Sequence, residues 1–354
     1  MRKSILIICL MVFILFGSLN LGGCTSPNKS PQTSGTNNSK VTIAQQFGLA
    51  YAPVQIMKEK NLLEKYLPGV EITWKQMGTG PTIRDAMVTG QVDIGFMGIS
   101  PFLIGWDKGA EWKIATASGS QPLALLTYKK DITKINDFSA ADKIATPAIA
   151  SIQQMLLSMS AERELGDPRS LDNLMIPLTH PDAVTSLLAK KDVTAHFSSP
   201  PYIFQELAAP DIHQVITGED AFGGEFTFIF GVATNNFHDT NPPAYAAFIA
   251  AFNEAITFIN NHPREAAKIL APVNNLSEED TYQALTWEGT NYCSTPYGIM
   301  GFAEFMKNTG YISKMPANLG DIAFENVEAT VGKRYGNMSA VEKLQLRNGA
   351  HNVP

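Results

Sequence analysis

The sequence predicts an α/β protein of two lobes, each a mainly parallel sheet flanked by helices. Three observations carry that expectation. Strand and helix signatures alternate along the chain, the pattern of parallel strands joined by covering helices. About 315 of the 354 residues lie from Lys40 onward, more than one hydrophobic core comfortably holds. The same alternation then starts again after Gln121.

Lys40-Val41-Thr42-Ile43-Ala44 reads as a short strand. Ala52 to Tyr66 carries apolar residues at helical spacing, and Pro68-Gly69 stops it. Val70 to Trp74 alternates as a strand, Thr82 to Thr89 is helical with Gly90 as its stop, and Val92 to Met97 is the next strand. Ser100-Pro101 opens a helix. In the second stretch, Leu123 to Tyr128, Lys143 to Ala145 and Val193 to Phe197 are strands, and Ser151 to Glu164 and Asp182 to Lys190 are helices. Phe226 to Ala233 is a strongly apolar strand. Pro242 to Asn261 is the largest helix, with Tyr245, Phe248, Ile249, Phe252, Ile256 and Ile259 on one face as core. No fixed-period repeat occurs.

The N-terminus has its own logic. Arg2 and Lys3 precede an apolar run, Ile5 to Phe16, and small residues lead to Cys24, the layout of a secretory signal. The run is short for a membrane span, which needs about 20 apolar residues. Leu21-Gly22-Gly23-Cys24 resembles the lipobox of bacterial lipoproteins. That resemblance implies a signal peptide over 1–23, lipidation of Cys24 and an extracytoplasmic, lipid-anchored mature chain. A multiply acylated cysteine anchors stably. Residues 24–39, mostly Ser, Thr, Pro, Asn, Gly, Gln and Lys, cannot bury a core and read as a tether.

Charge and cysteine count narrow the functions. Without residues 1–23 the chain carries 25 basic against 33 acidic side chains, a net of −8, with no basic run longer than two. It therefore lacks the electrostatic footprint for nucleic acid. Cys9 leaves with the signal and Cys24 takes lipid, so Cys293 has no intramolecular disulfide partner.

Enzyme signatures are sparse. Gly98-Ile99-Ser100-Pro101-Phe102 lacks the second glycine of a nucleophile elbow. No H-x-x-x-H pair, P-loop or dinucleotide fingerprint occurs, so neither a metal nor a cofactor is expected. Two helix starts stand out instead. Ser100-Pro101 reads as an N-cap serine followed by proline at the first helical position, and Ser151-Ile152-Gln153-Gln154 as a capping box. Unpaired N–H groups and the positive end of the dipole make such starts ready anion sites.

Several motifs carry a family resemblance from Val41 to about Phe237. They are Ala44-Gln45-Gln46-Phe47-Gly48, Gly78-Thr79-Gly80-Pro81, Thr89-Gly90-Gln91-Val92-Asp93-Ile94-Gly95, Gly98-Ile99-Ser100-Pro101, Ala150-Ser151 and Asp192-Val193-Thr194-Ala195-His196. In this order they resemble the extracytoplasmic substrate-binding proteins of nitrate, sulfonate and taurine ABC importers, including the thiamine-precursor binders. The resemblance implies a two-lobed, class II periplasmic-binding-protein clamshell. Lobe one would comprise 40–118 plus 230–354, and lobe two 119–229. It implies a ligand site between the lobes, with Gln45, Gly80, Gly98, Ser100, Ala150, Ser151 and His196 carried over by position. The expected function is capture of a small solute, a sulfonate-like anion foremost, for delivery to an ABC permease, by a non-enzymatic monomer. A pyrimidine or other aromatic heterocycle is the alternative solute. The pyrimidine-synthase branch of the fold is the enzyme alternative, and its cysteine-rich motif is missing here. After His196, Phe197-Ser198-Ser199-Pro200-Pro201-Tyr202 replaces the acid or Trp frequent in the family. Trp287 to Tyr292 forms a polar-aromatic loop that either rims the cleft or covers the core.

Overall fold

Alternation of buried and exposed positions turns Lys40–Gln45 into β1, with Val41, Ile43 and Ala44 buried. The computed structural model describes residues 39–329 and 331. The expected signal 1–23, Cys24 and the tether up to residue 38 lie outside the described residues.

Among the described residues, ten strands form two five-stranded sheets. The first contains β1, β2 (Glu71–Gln76), β3 (Ile94–Met97), β4 (Trp112–Ala117) and β10 (Phe230–Thr234), in the order β2-β1-β3-β10-β4. The second contains β5 (Ala124–Thr127), β6 (Ile144–Thr146), β7 (Met175–Pro177), β8 (Ala195–Ser198) and β9 (His213–Thr217), in the order β7-β6-β8-β5-β9. β1 pairs in parallel with β2 and β3, and β10 runs antiparallel to both β3 and β4. β6 likewise pairs in parallel with β7 and β8, while β5 runs antiparallel to β8 and β9. Four strands of each sheet thus run one way. The reversed strands are the ones by which the chain enters the second sheet and returns to the first.

The expected elements recur with informative differences. Ala52 to Tyr66 is two helices, Ala52–Glu59 and Leu62–Tyr66, because Asn61 adopts the left-handed conformation that asparagine tolerates. Pro242–Asn261 is one helix, and Phe248 and Phe252 pack against Phe96 of β3 with ring centroids 6.2 and 5.2 Å apart. The helix expected to start at Ser100 starts earlier. It spans Ile99–Asp107 with Gly98 as its N-cap, because extended backbone at Gly98 continues β3 before the turn. Ser100 therefore sits in the first turn, fully buried, and its Oγ has no hydrogen-bond partner. Among the described residues no helix is long and apolar enough to cross a membrane, and no group of three metal-ligating side chains occurs.

Candidate functional site

The Thr89 to Gly95 motif sets the register that builds the site. The Thr42 N–H donates to the Asp93 carboxylate at 2.8 Å, and the Asp93 N–H donates to the Thr42 carbonyl at 3.0 Å. β1 and β3 are thereby held in register, with Ala44 beside Gly95. Burial raises the Asp93 carboxyl above its ordinary range, and the Thr42 bond opposes that.

A pocket opens where the carboxyl ends of β1, β2, β3, β6, β7 and β8 face one another, the usual ligand position in open α/β sheets. Gln46, Phe47, Tyr51, Gly80, Gly98, Ser151, Gln153, His180, Ser199 and Phe228 are among its lining. Among the described residues, no lysine, arginine, aspartate or glutamate lines it. Its cavity volume is about 20 Å³, room for about one water molecule, so its walls stand close together in this structure.

Four helices begin at its wall. Gly80–Val88 starts at Gly80, Ile99–Asp107 at its cap Gly98, Ile152–Leu165 at its cap Ser151, and His180–Leu188 at His180. The Ser151 hydroxyl accepts from the Gln154 N–H at 3.3 Å. The Gln154 side chain reaches back to the Ala150 N–H, not to the Ser151 N–H, so the expected capping box is displaced by one residue. Segments belonging to the two sheets touch here: the Leu49 N–H donates to the Pro200 carbonyl at 3.2 Å.

Of the residues expected at the site, the structure brings Gly80, Gly98 and Ser151 together on the pocket wall. Gln45, Ser100, Ala150 and His196 are not among the lining. Gln45 ends β1 with its side-chain oxygen buried, and the next residue, Gln46, faces the pocket instead. Ala150 takes a left-handed φ of 65° that turns its N–H onto Gln154. His196 is fully buried on β8, its Nδ1 2.6 Å from Glu206 Oε1 and its Nε2 2.9 Å from His180 Nδ1. It is a core histidine standing behind the pocket. His180 is the histidine that lines the wall, with Gln153 Nε2 3.2 Å from its Nε2 and the Tyr202 ring stacked on it at 5.7 Å. Burial, then the neighbouring His196, holds His180 well below the ordinary histidine range, so the ring is neutral. Burial also pushes the Tyr202 hydroxyl up to about 12.

The 287–292 loop divides its roles. Trp287 lines a separate groove beside Phe204, with ring centroids 4.5 Å apart. Tyr292 is buried and its hydroxyl donates to the Leu49 carbonyl at 2.8 Å. Cys293 is a free thiol whose sulfur accepts from the Thr295 N–H.

The fold that places this pocket has known counterparts. The alkanesulfonate-binding protein SsuA of Xanthomonas axonopodis pv. citri, bound to MOPS, superposes with a TM-score of 0.66 at 18% identity, covering 78% of this chain and 95% of that one. The periplasmic nitrate-binding protein NrtA of Synechocystis PCC 6803 gives 0.64 at 15% identity, covering 88% and 91%. The fold is the periplasmic-binding-protein fold of these neighbours. A Bacillus subtilis (strain 168) protein provisionally named an aliphatic sulfonates-binding protein is 22% identical over 283 residues, 79% of this chain and 80% of the relative. Residues 34–273, more than half of the sequence, match the NMT1-like family, and the chain belongs to that family.

Proposed function

We propose that this chain is an extracytoplasmic, lipid-anchored receptor that captures a small oxyanion, a sulfonate foremost, and hands it to the permease of an ABC importer. It acts as a monomer and catalyses no reaction. The observation that carries this reading is the convergence of four helix N-termini on a pocket without a charged side chain. Helix N-termini satisfy an oxyanion with backbone donors and partial positive charge. Charge-assisted bonds of about 1.5–3 kcal/mol each would need only a few contacts to reach micromolar affinity, about 8 kcal/mol. The names of the sulfonate- and nitrate-binding relatives support the same solute class. In this reading the lobes are 40–118 plus 230–354 and 119–229, which the membership of the two sheets supports, and they close on the solute as rigid bodies.

Calorimetric titration of the purified protein with methanesulfonate, ethanesulfonate and nitrate tests the reading. Micromolar binding of a sulfonate is the expected result, and heat from none of them would sink it. Phe47, Tyr51 and Phe228 on the wall favour an aromatic heterocycle as the second reading. An aminopyrimidine that binds where no oxyanion does would establish that alternative.

Two variants separate capping from binding. Ser151→Ala is expected to lose about 1 kcal/mol of stability with the cap and three- to tenfold in solute affinity, whereas Ser100→Ala leaves affinity unchanged because its hydroxyl is buried off the pocket. Urea unfolding and calorimetry read both. A Ser151→Ala protein that is less stable but binds normally would reduce Ser151 to a structural cap.

The anchor has a separate check, since thioether lipidation requires a thiol. Cys24→Ser is expected to leave an unprocessed precursor or to release the protein from membranes. Recovery of that variant as a mature, detergent-extracted membrane protein would refute lipidation at Cys24.

A further inference from the structure

One buried group plays no part in anion binding: the fully buried Glu206, with its Oε1 on His196 and its Oε2 without a partner. It ends a line of four side chains, Gln153–His180–His196–Glu206, that leads from the pocket wall into the core. Both ends of that line impose the same direction. An amide nitrogen only donates, so Gln153 makes His180 Nε2 an acceptor, and a carboxylate only accepts, so His196 donates from Nδ1. The hydrogens therefore lie on Nδ1 of His196 and Nδ1 of His180, and each His Nε2 carries a lone pair. A ring whose one nitrogen is held by a neighbour has its tautomer fixed by that neighbour.

We propose that Glu206 and His196 are positioning residues that hold His180 as the Nδ1–H tautomer, presenting its Nε2 to the pocket as a hydrogen-bond acceptor for the solute. Gln153 occupies that acceptor in the present structure, and a solute N–H or O–H takes its place. The preferred solute then carries a donor group beside its oxyanion, as an amino- or hydroxyalkanesulfonate does. A bare alkanesulfonate leaves Nε2 to Gln153 and gains nothing from the relay. The gain is that of one added solute hydrogen bond, because the solute hydroxyl or ammonium donates to Nε2 in place of Gln153 and the freed Gln153 amide can turn to the solute. This proposal rests on the reading of the pocket as the solute site.

Nitrogen-15 NMR of the histidine-labelled protein at neutral pH tests the relay directly, with the His180 signals assigned by their loss in His180→Gln. The expected result is a single neutral tautomer with hydrogen on Nδ1. Hydrogen on Nε2, or on both nitrogens, would overturn the proposal. Calorimetry then compares 2-hydroxyethanesulfonate with ethanesulfonate. The wild-type protein is expected to favour the hydroxylated probe at least tenfold. Glu206→Gln, whose amide donates or accepts, is expected to mix the His180 tautomers and abolish that preference while ethanesulfonate binds within twofold of wild type. An unchanged tautomer and preference in Glu206→Gln would mean that Glu206 is only a core residue, and the relay falls. If neither probe binds, the sulfonate reading fails, and the wild-type His180 spectrum still confirms or overturns the relay.

Discussion

Gly119→Ala is expected to destabilise the protein by about 3 kcal/mol or more, a loss that combines strained backbone with overpacking. Gly119 lies in the segment that carries the chain from β4 to β5, with φ at +86°. A Cβ there would stand 1.7 Å from the Asn291 carbonyl oxygen, and 2.8 Å from both the Asn291 carbonyl carbon and the Cys293 nitrogen. These are backbone atoms, so no rotamer change relieves the contact. Nor is the strand of residues opposite free to withdraw. The Ser120 N–H donates to the Asn291 carbonyl, the Asn291 N–H donates back to the Ser120 carbonyl, each at 3.0 Å, and the Phe228 N–H donates to the Gly119 carbonyl at 3.0 Å. Gly109→Ala is the control. Its φ of +89° imposes the same strain, but open space surrounds it. It should cost only about 1 kcal/mol. Urea unfolding of the two variants separates the terms. Equal midpoints would show that the 287–292 loop yields to the crossing segment.

Much of this architecture was legible because it is written in short sequence windows. The stripe of Pro242–Asn261 needs only 3–4 spacing to declare a core face, and Ser151 announces a helix start through residues three apart. The site was less legible because its geometry is tertiary. Ser100-Pro101 satisfied the local rule for a cap, but β3 runs on to Met97, extended backbone persists at Gly98, and the helix begins one residue before the serine. His196 was visible as a histidine on an apolar strand. Its partners, Glu206 ten residues on and His180 sixteen residues back, meet it only after β8 lies between their helices. A signal for His180 did exist. Thr179-His180-Pro181-Asp182 is a helix start with proline at the second helical position and a Thr179 hydroxyl bonded to Asp182, the same grammar read at Ser151. Strands β4, β7 and β9 went unread for different reasons. β7 has only three residues, and β9 is half-exposed at the sheet edge with a single buried residue. β4 is almost wholly buried and does not alternate.

Gly98→Val is expected to weaken solute binding at least 100-fold while stability changes by less than about 1 kcal/mol, a typical bound for a change that creates no buried strain. Gly98 has φ −69° and ψ 167°, extended backbone that valine adopts freely. What its missing side chain allows is an approach. An added Cβ would lie 3.1 Å from Ile152 Cβ and 3.2 Å from Ile152 Cγ2, with the Phe228 carbonyl at 3.7 Å. Alanine therefore fits if Ile152 gives by tenths of an ångström, and Gly98→Ala should cost only a few-fold in affinity. Valine adds two methyls where no room remains, and the helix start at Gly98 must part from the helix start at Ser151. Without solute that separation opens a water-filled gap and breaks little. With solute it removes one wall's backbone donors from an anion the other wall still holds. Losing two charge-assisted bonds of about 1.5–3 kcal/mol each corresponds to about a hundredfold change or more. Calorimetry and urea unfolding on the same preparation check both halves. A Gly98→Val protein that binds like wild type would place the solute away from these two helix starts, whereas one that loses stability in proportion to affinity would make Gly98 a packing residue.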